Sequence, residues 1–213
     1  MNSNSITLRS ALNFTPVPLK FGTSGRRGLV ADLTQLEVYL NALAELEYLQ
    51  SLPLSKGGIR RGEEFYFACD LRPSSSGVVK EKEARRGGLV QAVAQAIADA
   101  GMQAVFLGLI PTPALASYAF TRGRGSMMIT GSHIPFDRNG YKTNTACGEL
   151  LKRDELPIQA KVEDVRARIY AQPLEESPFG ADGILRKNPA ELSPLTNDAL
   201  RDFLGRYTNF FAG

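Results

Sequence analysis

Between Phe65 and Thr130 the chain alternates three short apolar runs with two helical stretches, and that order admits few folds. The runs are Phe65-Tyr66-Phe67-Ala68-Cys69, Ala104 to Leu107 and Ser126 to Thr130, each of strand length and punctuated by turn residues. Between them, Leu89, Val90, Val93, Ala94 and Ile97 recur at helical spacing up to about Ala100, with Gly101 as C-terminal cap. A shorter helix opens near Pro113 and covers Ala114 to Phe120. A β-α-β-α-β order predicts a mostly parallel sheet with helices against its faces. Ligands of such sheets sit beyond the carboxyl ends of the strands, which directs attention to the segment from Gly131 onward.

The flanking elements follow from the same periodicities. Thr34 and Glu37 form a capping box, and Leu36, Tyr39, Leu40, Leu43, Leu46 and Leu49 then mark an amphipathic helix that ends before Pro53. Asp154 to Tyr170 reads as a closing helix. Pro173, Pro178, Pro189 and Pro194 mark 171–195 as a linker, and Thr196 to about Tyr207 is helical beyond it. The organisation is thus a flexible segment over 1–19, one domain over 20–170, the linker, and the start of a second, truncated domain over 196–213.

Composition limits the class of partner. With 43% hydrophobic and 22% charged residues, the 213-residue chain carries enough apolar mass for one sizeable core. A net charge of +3, from 25 basic and 22 acidic residues, argues against a nucleic-acid or membrane surface, so any bound anion must be held locally. Met1 to Lys20 is polar with Pro16 and Pro18 and lacks a signal-peptide core, and no run has the length of a membrane span. The expectation is a cytoplasmic protein in which Cys69 and Cys147 are buried free thiols.

Chemistry concentrates in Thr130-Gly131-Ser132-His133-Ile134-Pro135-Phe136-Asp137-Arg138-Asn139-Gly140-Tyr141-Lys142, which holds the single histidine of the chain. Gly131 permits a close turn after the strand, and Asn139-Gly140 predicts a tight turn that returns Lys142 toward the loop. A nucleophile, a titratable ring and a cation then share about ten residues. On residue types alone, a polar loop capping the sheet fits equally well. A serine hydrolase fits poorly, because no Gly-x-Ser-x-Gly elbow is present and adjacent Ser and His rarely face each other as triad partners.

This stretch resembles the active-site loop of the α-D-phosphohexomutases, T-[AG]-S-H-x-P followed by N-G-x-K, with Ile134 in the manner of bacterial members. Phe21-Gly22-Thr23-Ser24-Gly25-Arg26-Arg27-Gly28 is similar to the family's F-G-T-S-G-x-R-G signature, with Arg27 at the matching arginine. Asp70-x-Arg72-x-Ser74-Ser75 resembles its D-x-R-x-S-S segment, read as a buttress of the serine loop. The likeness runs from about Lys20 to Tyr170 and more weakly through the last helix.

The resemblance implies a three-layer αβα sandwich with a mixed, mostly parallel sheet, of the type of the first domain of phosphoglucomutase. It implies phosphoryl transfer between hexose 6-phosphate and hexose 1-phosphate through a phosphoserine and a bisphosphorylated sugar. Ser132 would be the phosphoryl carrier, Lys142 the acid or base, and His133 and Arg27 electrostatic supports. Thr23, Ser24, Arg27 and Lys142 would contact phosphate, and Ser132 through its phosphate would contribute to a Mg2+ site. A hexose 1,6-bisphosphate would be the activator, and the remaining domains of the enzyme the partners. The family's D-G-D-x-D-R metal loop has no counterpart here: no Asp-x-Asp occurs, and Glu45-x-Glu47 and Glu81-x-Glu83 lie in or beside predicted helices. The implied protein is an N-terminal part that is inactive alone. Phosphoglucosamine mutase within the family, and a non-catalytic sugar-phosphate-binding module outside catalysis, are the alternative readings.

Overall fold

The computed structural model describes residues 5–22, 25–76, 87–187 and 197–212. Six strands form one sheet: β1 (Arg26–Leu29), β2 (Glu64–Cys69), β3 (Gln103–Leu109), β4 (Ser126–Ile129), β5 (Arg138–Thr145) and β6 (Gly148–Glu149). Their order is β1-β5-β4-β2-β3, with β6 also paired to β5. β2 pairs in parallel with β3 and β4, whereas β5 is antiparallel to β4, β1 and β6. β5 is therefore the one strand running against the rest, and the expected mixed, mostly parallel α/β sheet is present.

Side-chain alternation along the strands separates two cores. Phe65, Phe67 and Cys69 of β2, Met127 and Ile129 of β4 and Tyr141 of β5 face α2 (Gln35–Ser51), α4 (Leu89–Asp99) and α6 (Glu155–Tyr170). Tyr66 and Ala68 of β2 and Met128 of β4 face the other way, against α5 (Thr112–Phe120) and α7 (Asp198–Ala212). The three layers are thus αβα. Two short helices, α1 (Leu8–Ala11) and α3 (Pro73–Ser76), complete the description.

The helix expected to be amphipathic, α2, is buried on nearly every side, since it is packed between α4 and α6 over the sheet. Its buried polar residues are paired internally, except that Asn41 Oδ1 has no hydrogen-bond partner among the described residues. Thr34 caps the helix by accepting from Glu37 N at 3.0 Å. The Glu37 carboxylate does not close the capping box; it is fully buried and forked by Arg166 of α6, with Nη2 at 2.9 Å, and accepts from Tyr170.

Further differences concern segments with little periodicity. The stretch that its prolines mark as a linker lies, over 171–187, against α2: Phe179 is fully buried and edge-on to Tyr39 at 5.0 Å, and Leu36 N donates to Gly183 O. The amino-terminal stretch joins it, with a Thr7–Pro173 bridge and Leu8 fully buried. α7, placed by the sequence at the start of a second domain, lies on α5 through Ala199, Leu200 and Phe203. Asn139-Gly140 is not a turn but the interior of β5. Gly140 faces β1 so closely that a Cβ there would sit 1.9 Å from Arg26 O. Cys69 is buried as expected, but Cys147 is exposed in the turn between β5 and β6.

Candidate active site

Three strands point their carboxyl ends at one open cleft of about 610 Å³, lined by Asp70, Arg72, Leu109, Met128, Thr130 and Ser132 among others. Ser132 follows β4 and is exposed. Among the described residues it is the one non-glycine with positive φ, 53°. Such a conformation strains an L-residue and persists only where its surroundings enforce it.

The enforcing contacts come from the β2–α3 loop. Asp70 Oδ2 accepts from Thr130 Oγ1 at 2.8 Å and from Gly131 N at 3.2 Å, and Thr130 Oγ1 in turn accepts from Ser132 N at 2.8 Å. Asp70 Oδ1 accepts from Ser75 Oγ at 2.7 Å and Arg72 N at 3.0 Å. The Arg72 guanidinium lies inside the serine loop and donates to the carbonyls of Ser132, Ile134, Pro135 and Arg138 at 3.3, 2.7, 3.0 and 3.0 Å. It passes so close to Gly131 that a Cβ there would meet Nε at 2.4 Å. Asn139 Nδ2 donates to Ser74 and Ser75 Oγ, tying the start of β5 to the same loop.

His133 meets Ser132 directly, Oγ and Nδ1 lying 3.2 Å apart. Lys142 lies on β5 opposite Met128, and its Nζ is engaged by Glu149 Oε1 at 2.6 Å and not by the serine. The two arginines of β1 part company by strand alternation. Arg26 is buried, its Nε 2.7 Å from Glu45 Oε1 of α2, and Glu45 also accepts from Tyr141 and Thr143. Burial opposes the charge on Arg26, but the Glu45 carboxylate outweighs it and the guanidinium pKa is raised. Arg27 faces the other way, exposed, opposite Gly140 in register. Thr23 and Ser24 lie outside the described residues, as do Glu81 and Glu83.

Sequence reasoning missed Glu149 and the Arg26–Glu45 pair, and read Asn139 as a turn residue where it anchors β5 to Ser74 and Ser75. The trace of the Arg26–Glu45 pair in the sequence is the row Glu37, Asn41 and Glu45, spaced at four residues so that they share one side of the helix. Neither glutamate of Glu45-x-Glu47 is available to a metal, since Glu45 holds Arg26 and Glu47 holds Arg168. The described residues do not by themselves fit a magnesium site: among them no three His, Cys, Asp or Glu side chains cluster to hold an ion, and the Asp70 carboxylate is already engaged. Among the described residues no helix is long and apolar enough to cross a membrane.

An α/β domain that holds an exposed, conformationally strained serine at the carboxyl edge of its sheet is the class defined here. Residues 83–168 match the family model described as phosphoglucomutase/phosphomannomutase, alpha/beta/alpha domain I. A phosphomannomutase of Sinorhizobium fredii is 40% identical over 73% of the chain, which covers 30% of that protein. One of Salmonella muenchen is 31% identical over 91% of the chain, covering 32% of that protein. A solved structure from Thermus thermophilus, described as a phosphomannomutase, superposes over 70% of the chain and 30% of its own with a TM-score of 0.54 and 26% identity. The chain belongs to the α-D-phosphohexomutase family, and it spans about a third of the length of these curated relatives.

Proposed function

We propose that the chain is the phosphoserine-bearing domain of a phosphohexomutase interconverting hexose 6-phosphate and hexose 1-phosphate, as a phosphomannomutase or phosphoglucomutase. The observation that carries the reading is the exposed Ser132, held in a left-handed conformation by Asp70 and Arg72 with His133 against its hydroxyl. In the first transfer the P–Oγ bond of phosphoserine breaks as a sugar oxygen bonds to phosphorus; the Lys142 ammonium gives a proton to the departing Ser132 Oγ and takes up the proton of the sugar hydroxyl. In the second, after the bisphosphate has reoriented, Ser132 Oγ takes the other phosphoryl group, its hydroxyl proton passes to Lys142, and Lys142 gives a proton to the departing sugar oxygen. Arg27 and His133 supply positive charge or donors to the phosphoryl oxygens, and Arg27 offers a planar fork for two of them.

Phosphopeptide mapping of protein made in a bacterial cytosol is expected to find phosphate on Ser132; reproducible mapping to another serine would overturn the assignment. In a coupled assay on hexose 1-phosphate with magnesium and a bisphosphate primer, turnover is expected only once a polypeptide carrying the acidic metal loop is added. Ser132→Ala should abolish it. Arg27→Ala and Lys142→Ala should each cut it by roughly 10² or more. Turnover by the chain alone would refute the dependence on added domains.

A further inference from the structure

The short hairpin after β5 delivers a carboxylate to the cation proposed to act in phosphoryl transfer. β6 consists of Gly148 and Glu149, and Glu149 pairs with Asn144 of β5. The turn before it is fixed by Thr145 Oγ1, which donates to Gly148 O at 2.9 Å and accepts from Cys147 N at 3.0 Å. Directly opposed residues of antiparallel strands project to one face, and so do residues two apart on a strand. Glu149 therefore shares a face with Asn144 and Lys142, and Arg27, opposite Gly140, shares it too. Along that face the order is Arg27, Lys142, Glu149, and the ammonium is drawn to the acidic end: Nζ lies 2.6 Å from Glu149 Oε1.

From this we infer that Glu149 tunes anion affinity by competing with phosphate for Lys142. The inference rests on the phosphoryl-transfer reading and adds a residue to it. Lys142 is only 20% exposed at its side chain, whereas Glu149 is 48% exposed, so the carboxylate is the partner that can swing into water. A half-exposed pair of this kind is weak and easily exchanged. A phosphate reaching Nζ must displace the carboxylate or lie within a few ångströms of it, and either outcome costs affinity. A mutase benefits from that cost, because a bisphosphorylated sugar must release each end in turn in order to reorient.

The test uses inorganic phosphate titrated against the 213-residue chain, followed by the amide resonances of Gly131, Ser132 and Gly140. Glu149→Gln is expected to bind phosphate about 3- to 10-fold more tightly than the unsubstituted chain, the scale set by one exposed like-charge contact. Glu149→Ala should behave likewise, and Glu149→Asp, which keeps the charge, should stay within about two-fold. Adding Lys142→Ala should erase the gain. Equal or weaker binding by both Glu149→Gln and Glu149→Ala would overturn the inference, since the carboxylate would then be orienting the ammonium, and so would absence of binding in every variant. If Lys142→Ala alone leaves phosphate affinity unchanged, the assignment of Lys142 itself fails, an outcome separate from the mapping of phosphate to Ser132.

Discussion

Arg72 does for the serine loop what a strand would do for a flatter segment: it gathers the loop's carbonyls. Four of them accept from one guanidinium, which is largely shielded from water and also balanced by Asp70 at 3.4 Å. Removing it takes a donor from each of those oxygens and the positive charge from beside the Asp70 carboxylate, which keeps its bonds from Thr130, Gly131, Ser75 and the backbone N–H of residue 72. Arg72→Ala is therefore expected to lower unfolding free energy by about 2–4 kcal/mol in urea titrations. Arg72→Lys should recover little of this, because a point ammonium cannot span carbonyls arranged for a planar fork. A loss below about 0.5 kcal/mol for Arg72→Ala would show that the loop holds its shape without the cage.

At the scale of elements, β5 is the decisive piece. It lies between β4 and β1 and carries Asn139, Gly140, Tyr141 and Lys142 into four different environments. Gly140→Ala would press a methyl group into Arg26 O and separate β1 from β5. The expected cost is about 3 kcal/mol or more, read as a drop in the urea midpoint. A midpoint unchanged by this substitution would refute the close approach. The sequence made the alternation of strands and helices legible because β2 and β4 bury both faces and read as continuous apolar runs, and α4 keeps its apolar stripe. The serine loop was legible because the residues proposed to act there, Ser132, His133 and Lys142, fall in one short stretch. Asn139-Gly140 was misread because a local turn preference yields to the approach of β1, which lies over a hundred residues earlier in the chain. The burial of Glu37 and Glu45 showed only in their four-residue spacing with Asn41, since their partners, Arg166 and Arg26, lie on other elements. The segment 171–187 carries no periodicity because it is held by single contacts such as Phe179 in its pocket and Leu185 N on Gln35 Oε1, not by a repeating face.

The whole molecule has an alkaline liability built from its phenols. Burial, reinforced by neighbouring carboxylates, raises the pKa of Tyr39 beside Asp99, Tyr66 beside Glu64 and Tyr141 beside Glu45. It pushes Tyr170 up to about 12 and the buried Cys69 thiol also to about 12. These groups keep their protons in the folded chain at pH values where the unfolded chain has lost them. Their contribution is thus fully present below the unfolded values and disappears as pH rises through the folded ones. Tyr39 and Tyr141, each 2% exposed, should each withdraw up to about 1.4 kcal/mol per pH unit above pH ~10. Urea midpoints measured between pH 8 and 11 should therefore fall with increasing slope, and a flat profile would refute the account. The reversed direction of β5 bears on the molecule in a different way. A parallel strand after β4 would need a crossover of a dozen or more residues, usually a helix, whereas an antiparallel one needs only a loop. The serine and lysine proposed to act together can therefore be written within a single peptide of eleven residues, 132 to 142. Such a peptide can be copied or transplanted as one unit, whereas the arginine that completes the proposed charge set lies at position 27, outside it.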